Sequence, residues 1–253
     1  MQEQLAGVLE TRGADARQRE MRRAFLATVE FPPACSVLEA GCGTGVLTRL
    51  IAELPDVETV VGTDLAPLLL ERARELAAAL PNVRFEEADA QALHFPAASF
   101  DVVIFDSTFS HLPDPGAALA EAFRVLRPGG LLAAFDGDYA TATVALGSHD
   151  PLQAVVDAMM AGSVTDGRVM RRLPSLARAC GFDVERMDSH GFIDGEGAYM
   201  QTVVARGADM LHAGAQIGAD LAAALKDECE RRIEAGTFFG HIAYASVVAR
   251  RPA

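Results

Sequence analysis

The fold is indicated by one stretch of the chain, VLEAGCGTG at residues 37–45. Its first residues belong to a short predicted strand (36–40), and its three glycines form a turn before a helix predicted over 46–54. A glycine turn between a strand and a helix lets a ligand approach the backbone closely, because no side chains block it. The glycines are spaced GxGxG, unlike the GxGxxG loop that receives a pyrophosphate, and no Gly-Lys-Ser/Thr follows. With Glu39 beside the loop, the stretch favours a ligand that carries an ammonium or sulfonium group.

Strands and helices alternate along the chain on the carboxyl side of this loop. This order predicts right-handed βαβ units, and hence a doubly wound α/β sheet, mostly parallel, with helices on both faces. The predicted strands are 59–62, 83–86, 100–105, 131–135, one that ends at 187, and 238–249. The predicted helices are 67–80, 116–125, 151–160 and 174–180, and a helical stretch over 197–235 is interrupted near 214–218. On the amino side, an amphipathic helix is predicted over 14–29 and ends before Phe31-Pro32-Pro33.

Composition excludes several classes of protein. Half of the residues are apolar, which excludes a disordered chain. The net charge is −13 and Lys226 is the one lysine, so neither nucleic acid nor an anionic membrane is expected as a partner. No apolar run approaches the ~20 residues of a membrane span, and no signal peptide is apparent. The four cysteines form no CxxC pair or zinc pattern, so we expect reduced thiols, no metal site and a cytoplasmic location.

Several separate segments, in order, resemble one known family. They are the glycine loop, VGTDL at 61–65, EADA at 87–90, FDVV at 100–103 running to HLPD at 111–114, and LRPGG at 126–130. In these segments the chain resembles the class I S-adenosylmethionine-dependent methyltransferases, particularly the ubiquinone-biosynthesis-like group that acts on small molecules. The resemblance is strong over residues 36–136 and extends to the remainder only in layout.

The resemblance implies a seven-stranded, Rossmann-like fold and a set of cofactor contacts. Residues 1–253 would form a single methyltransferase domain, with an N-terminal helical segment (1–33) and a cofactor-binding core (34–138). The half at 139–253 would hold the acceptor, the last two strands and helical lid insertions. Glu39, Gly41 and Gly43 would hold the methionine part of S-adenosylmethionine, and Asp64 would accept hydrogen bonds from the ribose hydroxyls. Leu65 would pack on the adenine, Asp89 and the Ala90 amide would bind its edge, and the Phe105 carbonyl would accept from the ammonium group.

The acceptor side is less specified by the sequence. A methyl sulfonium is already activated, so a base is required only for an acceptor that arrives protonated. His111 is the candidate catalytic base, with a loop hydrogen-bonding role as its alternative. Asp136, Asp138 and Tyr139 would contact the acceptor or serve as turn and cap residues, and His241 would face the pocket or the core. Six methionines indicate either an apolar acceptor pocket or filled gaps between helices (Met159, Met160, Met170, Met187, Met200 and Met210).

The leading functional hypothesis is methyl transfer to O, N or C of a small, apolar or aromatic metabolite. A nicotinamide-dependent oxidoreductase is disfavoured by the loop spacing, and a non-methylating use of the same cofactor, such as cyclisation, is left open. Methylation of nucleic-acid amino groups is disfavoured because residues 106–109 read DSTF in place of an Asn/Asp-Pro-Pro-Tyr motif. A homodimer through the final strand and lid is also left open.

Overall fold

The computed structural model describes residues 2–253, whose backbone forms two compact units. The first unit contains the described residues up to Asp136 together with Val169–Asp188 and Ala245–Ala253. The second unit contains Gly137–Arg168 and Ser189–Tyr244. The single domain remains a prediction.

Seven strands form one sheet in the order β3-β2-β1-β4-β5-β7-β6. The strands are β1 (Cys35–Ala40), β2 (Val57–Asp64), β3 (Val83–Glu87), β4 (Phe100–Asp106), β5 (Leu126–Thr143), β6 (Asp183–Asp194) and β7 (Gly240–Arg250). The pairings of β1 with β2, β1 with β4, β2 with β3 and β4 with β5 are parallel. The doubly wound α/β prediction is confirmed, and the reversal of strand order beside β1 places its carboxyl end where such sheets bind ligands.

The helices follow the predicted alternation with the strands. They are α1 (Gln2–Ala14), α2 (Ala16–Leu26), α3 (Val46–Ala52), α4 (Pro67–Leu76), α5 (Pro115–Val125), α6 (Pro151–Ser163), α7 (Val169–Ala179), α8 (Met200–Ala213) and α9 (Ala219–Glu234). A short 3-10 turn, Phe109–His111, follows β4. Within residues 2–253, no helix has both the length and the apolar character needed to cross a membrane.

Several predicted boundaries were wrong. The helix predicted over 14–29 is α2, which is shorter (Ala16–Leu26), and α1 before it was not predicted. Asp15 separates the two helices, because its backbone is extended and its side chain accepts a hydrogen bond from the Gln18 amide at 2.8 Å, which starts α2. Strand β5 runs eight residues beyond its predicted end, and β6 runs to Asp194 instead of residue 187. Helix α7 begins at Val169, five residues before Pro174, because its apolar stripe of Met170, Leu173 and Ala177 is buried from the first turn.

Packing on both faces of the sheet fixes the core of the first unit. Strand β4 is an apolar run without alternation, and Val102, Val103, Ile104 and Phe105 are all fully buried, as expected for a strand covered on two sides. One face packs against α5 and α7 in a single apolar cluster. On the other face Phe25 of α2 contacts Phe135 of β5, with ring centroids 5.3 Å apart. Helix α2 therefore packs on this face of the sheet over β5.

Candidate functional site

A cavity of about 470 Å³ opens at the carboxyl ends of β1, β2, β3 and β4. These strands are parallel neighbours, so the loops that follow them meet at one edge of the sheet. All of its lining residues belong to the first unit. Of the sequence-predicted site residues, those that line it are Glu39, Gly41, Gly43, Asp64, Leu65, Asp89, Ala90 and His111.

The glycine loop has a backbone that side chains would obstruct. Gly41, Gly43 and Gly45 all have positive φ, at 78°, 54° and 74°. A Cβ on Gly41 would lie 2.5 Å from the Thr108 hydroxyl oxygen, and one on Gly45 would lie 2.8 Å from the Phe85 ring. The Gly41 amide donates to the Thr63 carbonyl at 2.7 Å, which ties the loop to β2. The loop is thus held close to the sheet with its glycines open to a ligand.

Glu39 is a carboxyl group buried at the base of this loop. It is 2% exposed, and the Thr48 hydroxyl donates a hydrogen bond to its Oε2. Burial raises its pKa to about 8; the hydrogen bond from Thr48 opposes this shift, and the charge of Asp106 adds to it. The group is therefore mostly protonated at neutral pH, and a cation bound beside it would favour its ionised form.

Asp64 and Leu65 end β2 at the mouth of the cavity. The Gly43 amide donates to Oδ2 of Asp64 at 2.8 Å and the Ala66 amide to Oδ1 at 2.9 Å. The carboxylate therefore fixes both the glycine loop and the turn into α4, and each oxygen keeps a lone pair for a further donor. Leu65 is 61% exposed, an unusual position for a large apolar side chain that lines a cavity.

Asp89 and Ala90 follow β3 on the same side of the cavity. The amide and the side-chain nitrogen of Gln91 both donate to Oδ1 of Asp89, at 2.8 and 3.2 Å, while no hydrogen bond within residues 2–253 uses Oδ2. Ala90 is buried in the apolar cluster and lines the cavity. The two residues thus offer one carboxylate oxygen and one backbone amide to a ligand in the cavity.

Phe105 differs from the other predicted residues. Its side chain is fully buried and contacts Phe109 with ring centroids 4.4 Å apart, and it does not line the cavity. The neighbouring Asp106 does line it. The carboxylate at the end of β4 was missed at the sequence level because it was considered only as part of a motif comparison.

His111 ends the 3-10 turn after β4 and has an exposed side chain. Asp136 supports this turn, since its carboxylate accepts hydrogen bonds from the Ser110 amide at 2.9 Å and the Ser110 hydroxyl at 3.1 Å. Reduced hydration inside the cavity mouth lowers the pKa of His111, and the charge of Arg12 lowers it further. The imidazole is therefore neutral at physiological pH and able to accept a proton.

The N-terminal helices contribute cavity residues that the sequence did not single out. Leu5, Leu9 and Arg12 of α1 and Arg22 of α2 line the cavity. Leu9 lies directly over the glycine loop, because a Cβ on Gly43 would be 3.0 Å from its Cδ1. The amphipathic pattern of α2 was the only sequence signal, and it did not indicate which residue faces a ligand.

Other candidate residues are not among those that line the cavity. Asp136 is buried beneath the His111 turn, which is the turn role that the sequence left open. Asp138, Tyr139 and His241 belong to the second unit. None of the six methionines of the carboxyl-terminal half lines the cavity, and four of them are buried in packing. Within residues 2–253, no group of His, Cys, Asp and Glu is arranged to hold a metal ion, and all four cysteines are free thiols.

Most of the cavity residues lie in the part of the chain that matches a known family. Residues 38–134 match the family model described as a methyltransferase domain, and this range includes the predicted cofactor-binding residues and His111. Over this segment the chain is similar to methyltransferase domains.

Curated relatives of the methyltransferase domain act on chemically different acceptors. The demethylmenaquinone methyltransferase of Thermus thermophilus is 44% identical over 121 residues, which are 47% of this chain and 54% of that protein. The trans-aconitate 2-methyltransferase of an Azoarcus species is 40% identical over 120 residues, 47% of this chain and 46% of that protein. The chain spans about half the length of the curated relatives it matches.

The fold of the chain is also found in solved structures with distant sequences. The cyclase SpnF matches with a TM-score of 0.59 and 20% identity, over 93% of this chain and 81% of that one. At this identity the likeness shows the fold alone.

The cavity fits the parts of S-adenosylmethionine. The open glycine loop beside a carboxyl group suits an ammonium-bearing chain, and Asp64 can accept from two vicinal hydroxyls. The exposed face of Leu65 suits a flat apolar ring. The Thr44 hydroxyl oxygen is buried in the cavity wall and makes no hydrogen bond within residues 2–253. A polar ligand would supply the hydrogen-bond partner that it lacks.

Proposed function

We propose that the chain transfers the methyl group of S-adenosylmethionine to O, N or C of a small organic acceptor. The observation that carries the proposal is the convergence of Glu39, Asp64 and the glycine loop on one cavity at the carboxyl edge of a parallel sheet. The two relatives described above, a demethylmenaquinone methyltransferase and a trans-aconitate 2-methyltransferase, support the same reaction.

We assign the cofactor contacts as follows. Glu39 and the backbone of Gly41 and Gly43 bind the amino-acid part, and Asp64 accepts from the two ribose hydroxyls. Leu65 packs on the adenine, whose edge is bound by Oδ2 of Asp89 and the Ala90 amide. Phe105 contributes only its backbone carbonyl, toward the ammonium group. Bound in this way, the cofactor supplies a methyl group on a positively charged sulfur.

The acceptor side requires exclusion of water and, for a protonated acceptor, a base. His111 has the properties of that base, because its ring is neutral at physiological pH and it lies at the cavity mouth. Its ring nitrogen would receive the proton that leaves a phenol, an acid or an acidic carbon as the methyl group arrives.

The acceptor is proposed to be a small apolar or aromatic metabolite. Leu5, Leu9, Leu112 and Pro113 supply apolar surface to the cavity, which supports this choice over a peptide or a nucleic acid. The net charge of −13 disfavours a polyanion, and this argument extends to anionic membrane surfaces. A cytoplasmic location and a homodimer remain predictions.

The proposal is tested first by calorimetric titration with S-adenosylhomocysteine and, separately, with NAD. We expect binding of S-adenosylhomocysteine, no response to NAD, and a loss of affinity of about tenfold or more in Asp64→Ala, because two charge-assisted hydrogen bonds disappear. Binding of NAD, or of neither compound, would contradict the proposal.

Turnover separates methyl transfer from a non-methylating use of the cofactor. A panel of small phenols, quinols and organic acids is incubated with methyl-labelled S-adenosylmethionine, and label in the acceptor is measured. Two results together would favour the alternative reaction. The cofactor would bind without any acceptor becoming labelled, and a substrate would be converted while the cofactor is not consumed.

A further inference from the structure

Four cavity residues lie outside the matched family segment, and one of them, Arg22, has no role in the assignments above. Arg22 of α2 is 5% exposed and lines the cavity beside Glu39 and Asp106. A charged side chain is seldom buried to this extent unless it is paired, and Arg22 forms an ion pair with Asp106, whose Oδ2 lies 2.6 Å from its Nε.

This ion pair leaves much of the guanidinium group available. The Nε atom donates to Asp106, and Nη1 makes a long hydrogen bond of 3.4 Å to Oε1 of Gln18. No hydrogen bond within residues 2–253 uses Nη2. Asp106 therefore fixes the Arg22 side chain through one edge, while the planar group retains donors for a carboxylate along the other.

Arg22, Asp106 and Glu39 occupy the same corner of the cavity. The charges of both Arg22 and Asp106 act on the carboxyl group of Glu39, in opposite directions. Arg12, the other arginine of the cavity wall, acts instead on His111. The two arginines thus serve different parts of the cavity, and Arg22 is the cation beside the proposed ammonium site.

The amino-acid part of the cofactor requires such a cation. Its ammonium and carboxylate groups are attached to one carbon atom, so a ligand with its ammonium group at Glu39 must place its carboxylate within a few ångströms. Without Arg22 that carboxylate would meet the carboxyl groups of Glu39 and Asp106, which is an unfavourable contact of like charges.

We propose that Arg22 binds the carboxylate of the cofactor's amino-acid part and that Asp106 positions it for this contact. This inference rests on the proposed function and extends the site to α2, beyond the residues of the family match. Arg22 thereby selects adenosyl ligands that carry an amino-acid carboxylate over those that lack it.

The test compares ligands that differ in one group. Dissociation constants are measured for S-adenosylhomocysteine, for its decarboxylated analogue, which keeps the ammonium group, and for 5′-methylthioadenosine, which lacks the whole amino-acid part. The variants are Arg22→Gln/Asp106→Asn, which leaves no unpaired buried charge, and Arg22→Lys, which keeps a positive charge. The control is Arg127→Gln/Asp101→Asn. The charged groups of this ion pair are also 2.6 Å apart, but Asp101 lies at the start of β4 and Asp106 at its carboxyl end.

We expect the wild type to bind S-adenosylhomocysteine at least about tenfold more tightly than the decarboxylated analogue. The ratio should fall to about twofold or less in Arg22→Gln/Asp106→Asn, recover in part in Arg22→Lys and stay unchanged in the control. Affinity for 5′-methylthioadenosine should change little in any variant.

Three outcomes would overturn the inference. The first is a wild-type ratio near one, and the second is a ratio that persists in the Arg22 variants. The third is an equal loss of affinity for all three ligands, which is the signature of a structural role. If none of the three binds the wild type, the proposed function fails as well, whereas equal binding of all three leaves that function intact.

Discussion

At the scale of single residues, Glu39 is the side chain whose protonation most depends on the fold. It is buried and has a pKa of about 8, compared with 4.5 for an ordinary glutamate. Without a bound ligand, Glu39 in the native chain therefore retains a proton that it releases at lower pH in the unfolded chain. Stability from this group is fully present below pH 4.5 and is lost as pH rises through 8.

This difference predicts the pH dependence of stability. Without ligand, wild-type unfolding free energy should decrease relative to Glu39→Gln between pH 5 and 8, by at most about 1.4 kcal/mol per pH unit. Urea unfolding of both proteins at several pH values measures the difference, and the glutamine keeps an oxygen that can accept from Thr48. Parallel pH profiles for the two proteins would contradict the assignment.

The glycines show how much of the site is readable from residues alone. The GxGxG spacing predicted a glycine turn, and the positive φ angles of Gly41, Gly43 and Gly45 confirm it. The close approach of a ligand to this backbone stays a prediction, since the short Cβ distances at Gly41 and Gly45 are to Thr108 and Phe85. Asp64 was predicted to accept hydrogen bonds from the ribose hydroxyls, and this role stays a prediction. Its carboxylate also holds the glycine loop and the turn into α4, which spacing along the chain did not indicate.

At the scale of elements, the helix pair α6 and α8 of the second unit depends on one glycine. A Cβ on Gly207 would lie 1.9 Å from the Val155 carbonyl oxygen, so the two backbones approach too closely for any side chain. Glycine within a helix is ordinarily unfavourable by about 0.5–1 kcal/mol relative to alanine. Its presence here is explained by packing.

Gly207→Ala should therefore lower stability, although alanine is the better helix former. We expect a loss of about 1–3 kcal/mol because α8 must move away from α6. Thermal unfolding followed by circular dichroism measures the effect. Gly7→Ala in α1 is the matched control, since nothing lies within 4 Å of its added Cβ, and this variant should be as stable as the wild type or slightly more so. An unchanged midpoint for Gly207→Ala would mean that the helices repack without cost.

Helix α1 has the opposite character, because it contributes to the cavity but little to the core. None of its described side chains is fully buried, yet Leu5 and Leu9 line the cavity.

Removal of residues 1–14 should weaken S-adenosylhomocysteine binding about tenfold, through lost apolar contact, while the thermal midpoint falls by less than about 4 °C. Calorimetry and thermal unfolding measure the two effects, and Leu5→Ala/Leu9→Ala should reproduce the weaker binding with the helix retained. Unchanged affinity in both variants would exclude a binding role for α1.

At the scale of the whole molecule, the sequence predicted the order of strands and helices far better than the limits of the site. The βαβ alternation and the buried β4 run follow from local patterns, and so does the break between α8 and α9. Arg22 was read only as a charge on an amphipathic helix, because its contact with Asp106 joins residues 84 positions apart and no local pattern encodes it. For the same reason the sequence did not decide whether the six methionines line an acceptor pocket or fill gaps between helices. In the structure four of them are buried in packing.

The ion pair between Glu10 of α1 and Arg49 of α3 has a consequence for exchange of the spent cofactor. The two groups lie 3.0 Å apart with both side chains partly exposed, and Arg49 also donates to the Thr44 carbonyl in the glycine loop. This contact ties α1, which carries Leu9, to the glycine loop, so we expect the residence time of a bound ligand to depend on it. Dissolved salt weakens attraction between partly exposed charges. In concentrated brine, S-adenosylhomocysteine would leave sooner, and ionic strength would set the rate of repeated turnovers.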